Sequence, residues 1–204
     1  MNLKRYLVML ACFSVLLCMH LAMADGKEIR TAILAGGCFW CTESDFDKLD
    51  GVVSTLPGYT GGTISSPTYE NYHNTDHGNI PHVEAVEIKY DPAVVSYETL
   101  IDYYFRHIDP ADGGGQFCDR GPAYRPVIFV NGSEENKVAE KIKEDVGKKI
   151  KTNVAVEILP AEKFWPAEDY HRKYYQKNPN RYAFYRWNCG RDQRVQEVWG
   201  SSSH

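Results

Sequence analysis

The chain has 204 residues, of which 43% are hydrophobic, and a formal net charge of −4 at pH 7. This length suits one well-buried domain and is too short for two domains of ordinary size. A mildly acidic protein has no electrostatic attraction to nucleic acid or to an anionic membrane surface, so we expect neither as a partner.

The first segment, residues 1–24, has the organisation of a cleavable signal peptide. Lys4 and Arg5 give it a positive start, an almost wholly apolar run follows, and a small-residue pattern ends at Ala24. The apolar run is short for a stable membrane span, which needs roughly 20 residues. We expect cleavage after Ala24 and a periplasmic or secreted protein. Cys18 leaves lipid attachment open as an alternative.

Four cysteines remain after that cleavage: Cys38, Cys41, Cys118 and Cys189. Export favours disulfides, so two structural bridges are the simplest explanation of an even count. However, a domain of this length can build a core without bridges, and a Cys-x-x-Cys spacing closes too small a ring to add much stability. A structural disulfide therefore remains a possible explanation for Cys118 and Cys189, and it is a poor explanation for Cys38 and Cys41.

The segment 25–204 predicts a single domain of mixed strands and helices. Apolar patterns predict strands at 29–35, 52–56, 83–90, 127–130 and 155–159, and helices at 39–49, 97–108, 133–150 and 167–177. Two long loops, 57–82 and 109–126, separate these elements, and the stretch from residue 178 is expected to be an irregular tail. The mixed, non-alternating order favours an α+β two-layer sandwich, with helices packed on a small mixed sheet and a ferredoxin-like core.

The stretch GGCFWC places Cys38 where a strand meets a helix. The free N–H groups and the partial positive charge of a helix N-terminus stabilise a thiolate, so we expect a lowered pKa and a nucleophilic role for Cys38. Phe39 and Trp40 are ordinary core residues by periodicity alone. They become functional only if the substrate has an apolar part that docks beside the sulfur.

Glu84 begins an apolar strand face that it shares with Val86 and Ile88. Partial desolvation there would raise its pKa and keep it protonated near neutrality, as an acid must be. The alternative is a glutamate at a strand end that reaches solvent. The two loops add phenolic donors: Tyr59, Tyr69, Tyr72 and Tyr124.

Six motifs then occur in consistent order: GGCFWCTE, GYTGG, PTYENY, HVEAVEIKYDP, DRGPAYRP and FWPAEDYHRKYYQKNP. Over about residues 29–199 the chain resembles the A-type peptide methionine sulfoxide reductases. The resemblance implies an α+β enzyme that reduces the S epimer of methionine sulfoxide, free or in proteins. It also implies that no metal or cofactor is bound and that an external thioredoxin-like dithiol is the reductant. We expect a monomer.

The resemblance implies a role for each matching residue. Cys38 attacks the sulfoxide sulfur and is left as a sulfenic acid, while Glu84 protonates the oxygen. The other implied residues are Phe39 and Trp40 around the substrate methyl group, Tyr69 and Tyr124 on the oxygen, and Asp119 as an additional carboxylate.

The cysteine pattern departs from the family. Cys41 stands where many relatives have Gly, Cys118 where Asn is usual, and the late cysteine is delayed to Cys189. Three thiols could therefore resolve the sulfenic acid on Cys38. We expect Cys189 or Cys41 to react first, with Cys118 passing the disulfide onward.

Two other functions compete with this interpretation. A general thiol-disulfide oxidoreductase would use the same Cys-x-x-Cys pair, although the aromatic spacer and the order of elements are unlike thioredoxin. A zinc-binding module is the second alternative, with ligands drawn from Cys38, Cys41, His73, His77 and His82.

Overall fold

The structure is a computed structural model that describes residues 28–200. The predicted signal peptide, with cleavage after Ala24, lies outside these residues. In chain order the elements are β1 (Arg30–Ala35), α1 (Phe39–Phe46), β2 (Val52–Thr60), β3 (Val83–Tyr90), α2 (Tyr97–Phe105), β4 (Gly115–Gln116), β5 (Asp119–Arg120), β6 (Val127–Val130), α3 (Ser133–Ile150), β7 (Glu157–Pro160), β8 (Trp165–Pro166), α4 (Tyr174–Lys177), α5 (Pro179–Asn188) and α6 (Arg191–Trp199). No helix in this part of the chain combines the length and apolarity needed to cross a membrane.

Six strands form one sheet in the order β7-β6-β1-β3-β2-β8. The inner strands β6, β1, β3 and β2 pair antiparallel, whereas β7 joins β6 in parallel at one edge. Helix α1 connects β1 to β2, and α2 connects β3 to β6. This βαββαβ arrangement confirms the predicted α+β class and its ferredoxin-like core.

Side-chain alternation along the strands divides the apolar residues between the two faces of the sheet. Ala32 and Leu34 of β1 belong to the main core, which also includes the buried residues of α2 and α3. Ile33 and Ala35 belong to a smaller cluster on the opposite face. Fully burying a side chain such as Leu34 contributes about 1.5–3 kcal/mol, so the main core holds the helices firmly on the sheet.

The predicted irregular tail is wrong, because residues 179–188 and 191–199 form helices α5 and α6. Pro179 starts α5 at a position where its missing N–H costs nothing. Gly190 has φ +66 and separates the two helices. Helix α5 buries only Tyr182 and helix α6 has only three apolar residues, so neither shows a continuous apolar stripe in the sequence.

Among the remaining differences in element boundaries, two are the largest. Strand β2 continues to Thr60, so the first loop begins at residue 61. The expected helix at 167–177 is reduced to the single turn α4, preceded by turns. The first loop is ordered by its own contacts, since the backbone N–H of His82 donates to the Tyr72 carbonyl at 2.9 Å.

Candidate active site

Cys38 is the residue that starts α1, directly after β1. Its carbonyl accepts hydrogen bonds from the amides of Cys41 (3.1 Å) and Thr42 (3.2 Å), which fix the first helical turn. Gly37 has φ +80, and a Cβ there would lie 2.6 Å from the Cβ of Gln116. Only glycine fits this position, and the second loop consequently packs directly against the turn that carries the sulfur.

Glu84 of β3 reaches the same turn from the neighbouring strand. One carboxyl oxygen, Oε2, accepts the backbone N–H of Phe39 at 2.9 Å, and Oε1 is hydrogen-bonded to the Tyr72 hydroxyl at 2.9 Å. Glu84 is only 2% exposed, so the glutamate does not reach solvent. Burial raises its pKa to about 8 against the opposing effect of its two hydrogen bonds.

Tyr72 and Tyr124 lie together beside this acid. Their hydroxyl oxygens are 3.1 Å apart, and the ring of Tyr72 stacks on Tyr59 with centroids 4.8 Å apart. Tyr69 lies farther out, 37% exposed, with its ring 4.5 Å from the ring of His171. The structure thus places Tyr72 against Glu84. The sequence indicated Tyr72 only as one of several phenolic donors.

Trp40 and Phe39 form an aromatic wall beside Cys38. The indole N–H of Trp40 donates to Nδ1 of His171 at 3.0 Å, and the indole stacks flat on Tyr174 with centroids 3.8 Å apart. Phe39 is almost wholly buried, and its ring centroid lies 4.9 Å from that of His171. Burial lowers the pKa of His171 to about 4, so its neutral ring can accept from Trp40. His171, which no pattern in the sequence singled out, therefore holds this wall in place.

Cys38 and Cys41 are both buried free thiols, and their side chains are hydrogen-bonded to each other. Burial raises the pKa of Cys38, and the neighbouring Cys41 and Glu84 add to the effect. The expected lowering by the helix N-terminus is therefore not what the structure shows. The lowered pKa belongs to Cys41, because Cys38 donates to it and the guanidinium groups of Arg191 and Arg186 lie near.

Arg191, the first residue of α6, is buried in the protein and only 2% exposed. Its guanidinium donates to the carbonyls of Gly36 (3.1 Å) and His107 (2.9 Å). Asp45 of α1 pairs with Arg186 at 2.8 Å. The C-terminal helices are therefore attached to α1 and to the turn that carries Cys38, and the sequence did not reveal this because the stretch was expected to be irregular.

Cys118 and Cys189 form a disulfide with Cα atoms 4.8 Å apart, and Cys118 is exposed. The next residue, Asp119, accepts a hydrogen bond of 2.5 Å from the Tyr185 hydroxyl. Burial raises the pKa of Asp119. Two links, one covalent and one polar, therefore join the β4–β5 hairpin to α5.

The zinc alternative finds no assembled ligand set among residues 28–200. The single group of three or more potential ligands in that range is Cys118, Asp119 and Cys189, and its two sulfurs are bonded to each other. The His82 ring is hydrogen-bonded to the backbone, since its Nδ1 accepts the Gly62 N–H at 3.1 Å, so this nitrogen is not free to bind a metal.

The family profile described as "Peptide methionine sulfoxide reductase" matches residues 30–203. The chain belongs to this family. A Caulobacter vibrioides protein, "Peptide methionine sulfoxide reductase MsrA 2", is 42% identical over 198 residues, which are 97% of this chain and 99% of the relative. The Vibrio cholerae protein "Peptide methionine sulfoxide reductase MsrA/MsrB" is 46% identical over 180 residues, and the match covers 87% of this chain but 47% of that relative.

Solved structures agree with this family membership. The reduced form of Mxr1 from Saccharomyces cerevisiae aligns with a TM-score of 0.68 and 33% identity, covering 76% of this chain and 88% of Mxr1. Mxr1 in complex with Trx2 aligns with a TM-score of 0.51 and 25% identity, covering 74% and 87%. The A-type resemblance seen in the motifs is confirmed, and the chain is an oxidoreductase of the methionine sulfoxide reductase A kind.

The buried carboxyl of this family member predicts an unusual dependence of stability on pH. The folded pKa of Glu84 is about 8, above the 4.5 of an unperturbed glutamate, so its contribution to stability is lost as pH rises from about 4.5 through 8. We expect Glu84→Gln to raise the free energy of unfolding by roughly 4–5 kcal/mol at pH 9, because each pKa unit corresponds to about 1.4 kcal/mol, and by less than about 1 kcal/mol at pH 5. Urea unfolding at the two pH values measures this difference.

The matched control is Glu140→Gln, since Glu140 lies exposed on α3. It should leave both stabilities within about 0.5 kcal/mol of the parent protein. Equal effects of Glu84→Gln at pH 5 and pH 9 would contradict the assignment of Glu84 as the buried acid.

Proposed function

We propose a mechanism for the methionine sulfoxide reductase A reaction, in which Cys38 attacks the sulfoxide sulfur and Glu84 protonates its oxygen. The observation that carries this proposal is the 2.9 Å hydrogen bond from the Phe39 amide to Glu84. This bond ties an acid with a pKa of about 8 to the residue next to the nucleophile. The acid is thus protonated near neutrality and is fixed beside the residue that carries the nucleophile.

Methionine sulfoxide combines an apolar methyl group and a polar oxygen on one sulfur, and the site offers a surface for each. Phe39 and Trp40 provide the apolar wall for the methyl group. Tyr124, next to the buried acid, and Tyr69 at the rim provide hydrogen-bond donors for the oxygen. A chiral sulfoxide can meet the wall and the donors at once in only one hand, which supports selectivity for the S epimer.

The first half of the reaction moves two electrons from Cys38 to the substrate. The Cys38 sulfur bonds to the substrate sulfur while Glu84 gives its proton to the oxygen. The oxygen then transfers to Cys38, methionine leaves as the sulfide, and Cys38 remains as a sulfenic acid. In the resting enzyme the Cys38 thiol donates a hydrogen bond to Cys41. Cys38 loses this proton when it attacks, and the same proton replaces the one that Glu84 has given up.

The second half removes the sulfenic acid through the other cysteines. A thiol, Cys189 or Cys41, condenses with it and releases water, and Cys118 then takes over the disulfide by exchange. The Cys118–Cys189 bridge is the product that this order leaves when Cys189 reacts first. Because Cys118 is exposed and Cys38 is 6% exposed, an external dithiol reaches the outer bridge much more easily.

A thioredoxin-like protein is the proposed reductant. The Mxr1–Trx2 complex among the structural neighbours supports a partner of that class. We also propose that the chain is exported after cleavage at Ala24, on the strength of the positive, apolar and small-residue segments that precede it. A reductant for an exported enzyme must work in an oxidising compartment.

Cys38→Ser should abolish reduction of the S sulfoxide, and the wild-type protein should not turn over the R sulfoxide. The reason is that a serine hydroxyl is a far weaker nucleophile than a thiol, and that only the S sulfoxide meets the aromatic wall and the oxygen donors at once. Turnover of the separated epimers with a dithiol reductant measures both. Cys41→Ser is the control and should still release one methionine per enzyme in a single turnover. Fast insulin-disulfide reduction without sulfoxide turnover would instead favour a general thiol-disulfide oxidoreductase.

Disulfide mapping tests the order of the sulfur steps. Fully reduced wild type given one equivalent of sulfoxide should accumulate Cys118–Cys189, with Cys38 and Cys41 free. In Cys118→Ser the exchange step is blocked, so Cys38 should be found bonded to Cys189 or Cys41. A Cys38–Cys118 bridge in the wild type would refute this order. If the Cys118–Cys189 bridge instead stayed intact in reductant throughout turnover, it would be a structural disulfide with no part in the reaction.

Cleavage of the signal peptide is tested by the N-terminal sequence of the protein recovered from cells that export it. We expect the recovered chain to start at Asp25 and to be found outside the cytoplasm. Replacing Ala24 with a bulky residue should block processing, because signal peptidases require a small residue there. A recovered chain that retains residues 1–24 and stays in the cytoplasm would overturn the export proposal.

A further inference from the structure

Three oxygens form a continuous line from the buried acid toward the second loop. The Tyr72 hydroxyl lies 2.9 Å from Oε1 of Glu84 and 3.1 Å from the Tyr124 hydroxyl. Both distances are within hydrogen-bond range. Tyr72 is therefore the physical connection between the carboxyl group and Tyr124.

The direction of this line depends on the protonation of Glu84. Its Oε2 already accepts the Phe39 amide, so the carboxyl proton resides on Oε1 and faces Tyr72. A hydroxyl carries one hydrogen, so Tyr72 donates to only one neighbour at a time. With Glu84 protonated, Glu84 donates to Tyr72, which donates to Tyr124; with Glu84 ionised, both hydrogen bonds reverse.

We propose that Tyr72 relays the proton of Glu84 to Tyr124, which delivers it to the sulfoxide oxygen. The relay rests on the proposed function, because it supplies the proton of that reaction. Each hydroxyl gains one proton and gives one up, so the tyrosines end unchanged. Glu84 loses one proton, and the substrate oxygen gains one.

The surroundings of Tyr72 suit a relay. The side chain is 2% exposed, and its ring is held on Tyr59. Burial raises the pKa values of Tyr72 and Tyr124 above the ordinary range, so both stay neutral and pass a proton without ionising. Tyr69, 37% exposed and stacked on Tyr72 with centroids 5.9 Å apart, lies outside the line of oxygens.

A double-mutant cycle tests the relay against a purely structural role for Tyr72. Tyr72→Phe keeps the ring and removes the bridging oxygen, so kcat/KM for the S sulfoxide should fall roughly 100-fold, the usual scale of a lost proton donor. Tyr72→Phe combined with Glu84→Gln should be no slower than Glu84→Gln alone, because both changes interrupt the same line. Independent structural damage would instead multiply the two losses.

The pH profile gives a second readout. Wild-type kcat/KM should decline as Glu84 ionises above about pH 8, and this decline should disappear in Tyr72→Phe. Tyr69→Phe should keep the decline. Tyr97→Phe, which removes a buried hydroxyl with no hydrogen-bond partner among the described residues, should match wild type throughout.

Tyr124→Phe breaks the same line one oxygen later, so it provides a second test if Tyr72→Phe folds poorly. It should show the same non-additivity with Glu84→Gln. Multiplied losses, or a pH decline that survives in Tyr72→Phe and is lost in Tyr69→Phe, would overturn the relay. An inactive wild type would instead contradict the proposed function itself.

Discussion

The hydrogen bond between Glu84 and the Phe39 amide is the contact on which the site depends. It crosses from β3 to the first residue of α1, so it fixes the acid relative to Cys38 through the backbone rather than through a mobile side chain. The same bond is a reason why a carboxyl group can be buried here, since it offsets part of the cost of removing the group from water. The placement of Glu84 at the start of an apolar strand therefore gives a buried, protonated carboxyl group held in a fixed position relative to Cys38, as the proposed mechanism requires.

The ferredoxin-like core and the position of this acid were predictable because both follow from periodicity. Period-two alternation in β3 puts Glu84 on the face of Val86 and Ile88, and the structure has all three on the helix side of the sheet. Helices α5 and α6 were not predictable in this way. Their contribution to the site comes from isolated polar contacts, such as Arg191 on the Gly36 carbonyl and Tyr185 on Asp119, which leave no periodic signal.

The tyrosines show a similar limit inside the first loop. The motif resemblance singles out Tyr69, yet the path of the loop turns Tyr72 toward Glu84 and leaves Tyr69 against His171. Loop geometry of this kind is set by long-range contacts, including the His82 amide on the Tyr72 carbonyl. Residue type and spacing alone therefore identified the phenols but not which of them meets the acid.

The raised pKa of Cys38 changes how its reactivity is understood. A thiolate exposed to solvent reacts with many oxidants, whereas a buried thiol beside Glu84 and Cys41 stays protonated and is a poor target in the resting enzyme. A sulfoxide sulfur carries partial positive charge, so its arrival favours the thiolate, and protonation of its oxygen increases that charge further. In the proposed mechanism, activation of Cys38 is then coupled to the presence of the substrate. On the proposed mechanism, burial outweighs the thiolate stabilisation expected from the helix N-terminus and so restricts the reaction of Cys38 to a sulfoxide bound in the site.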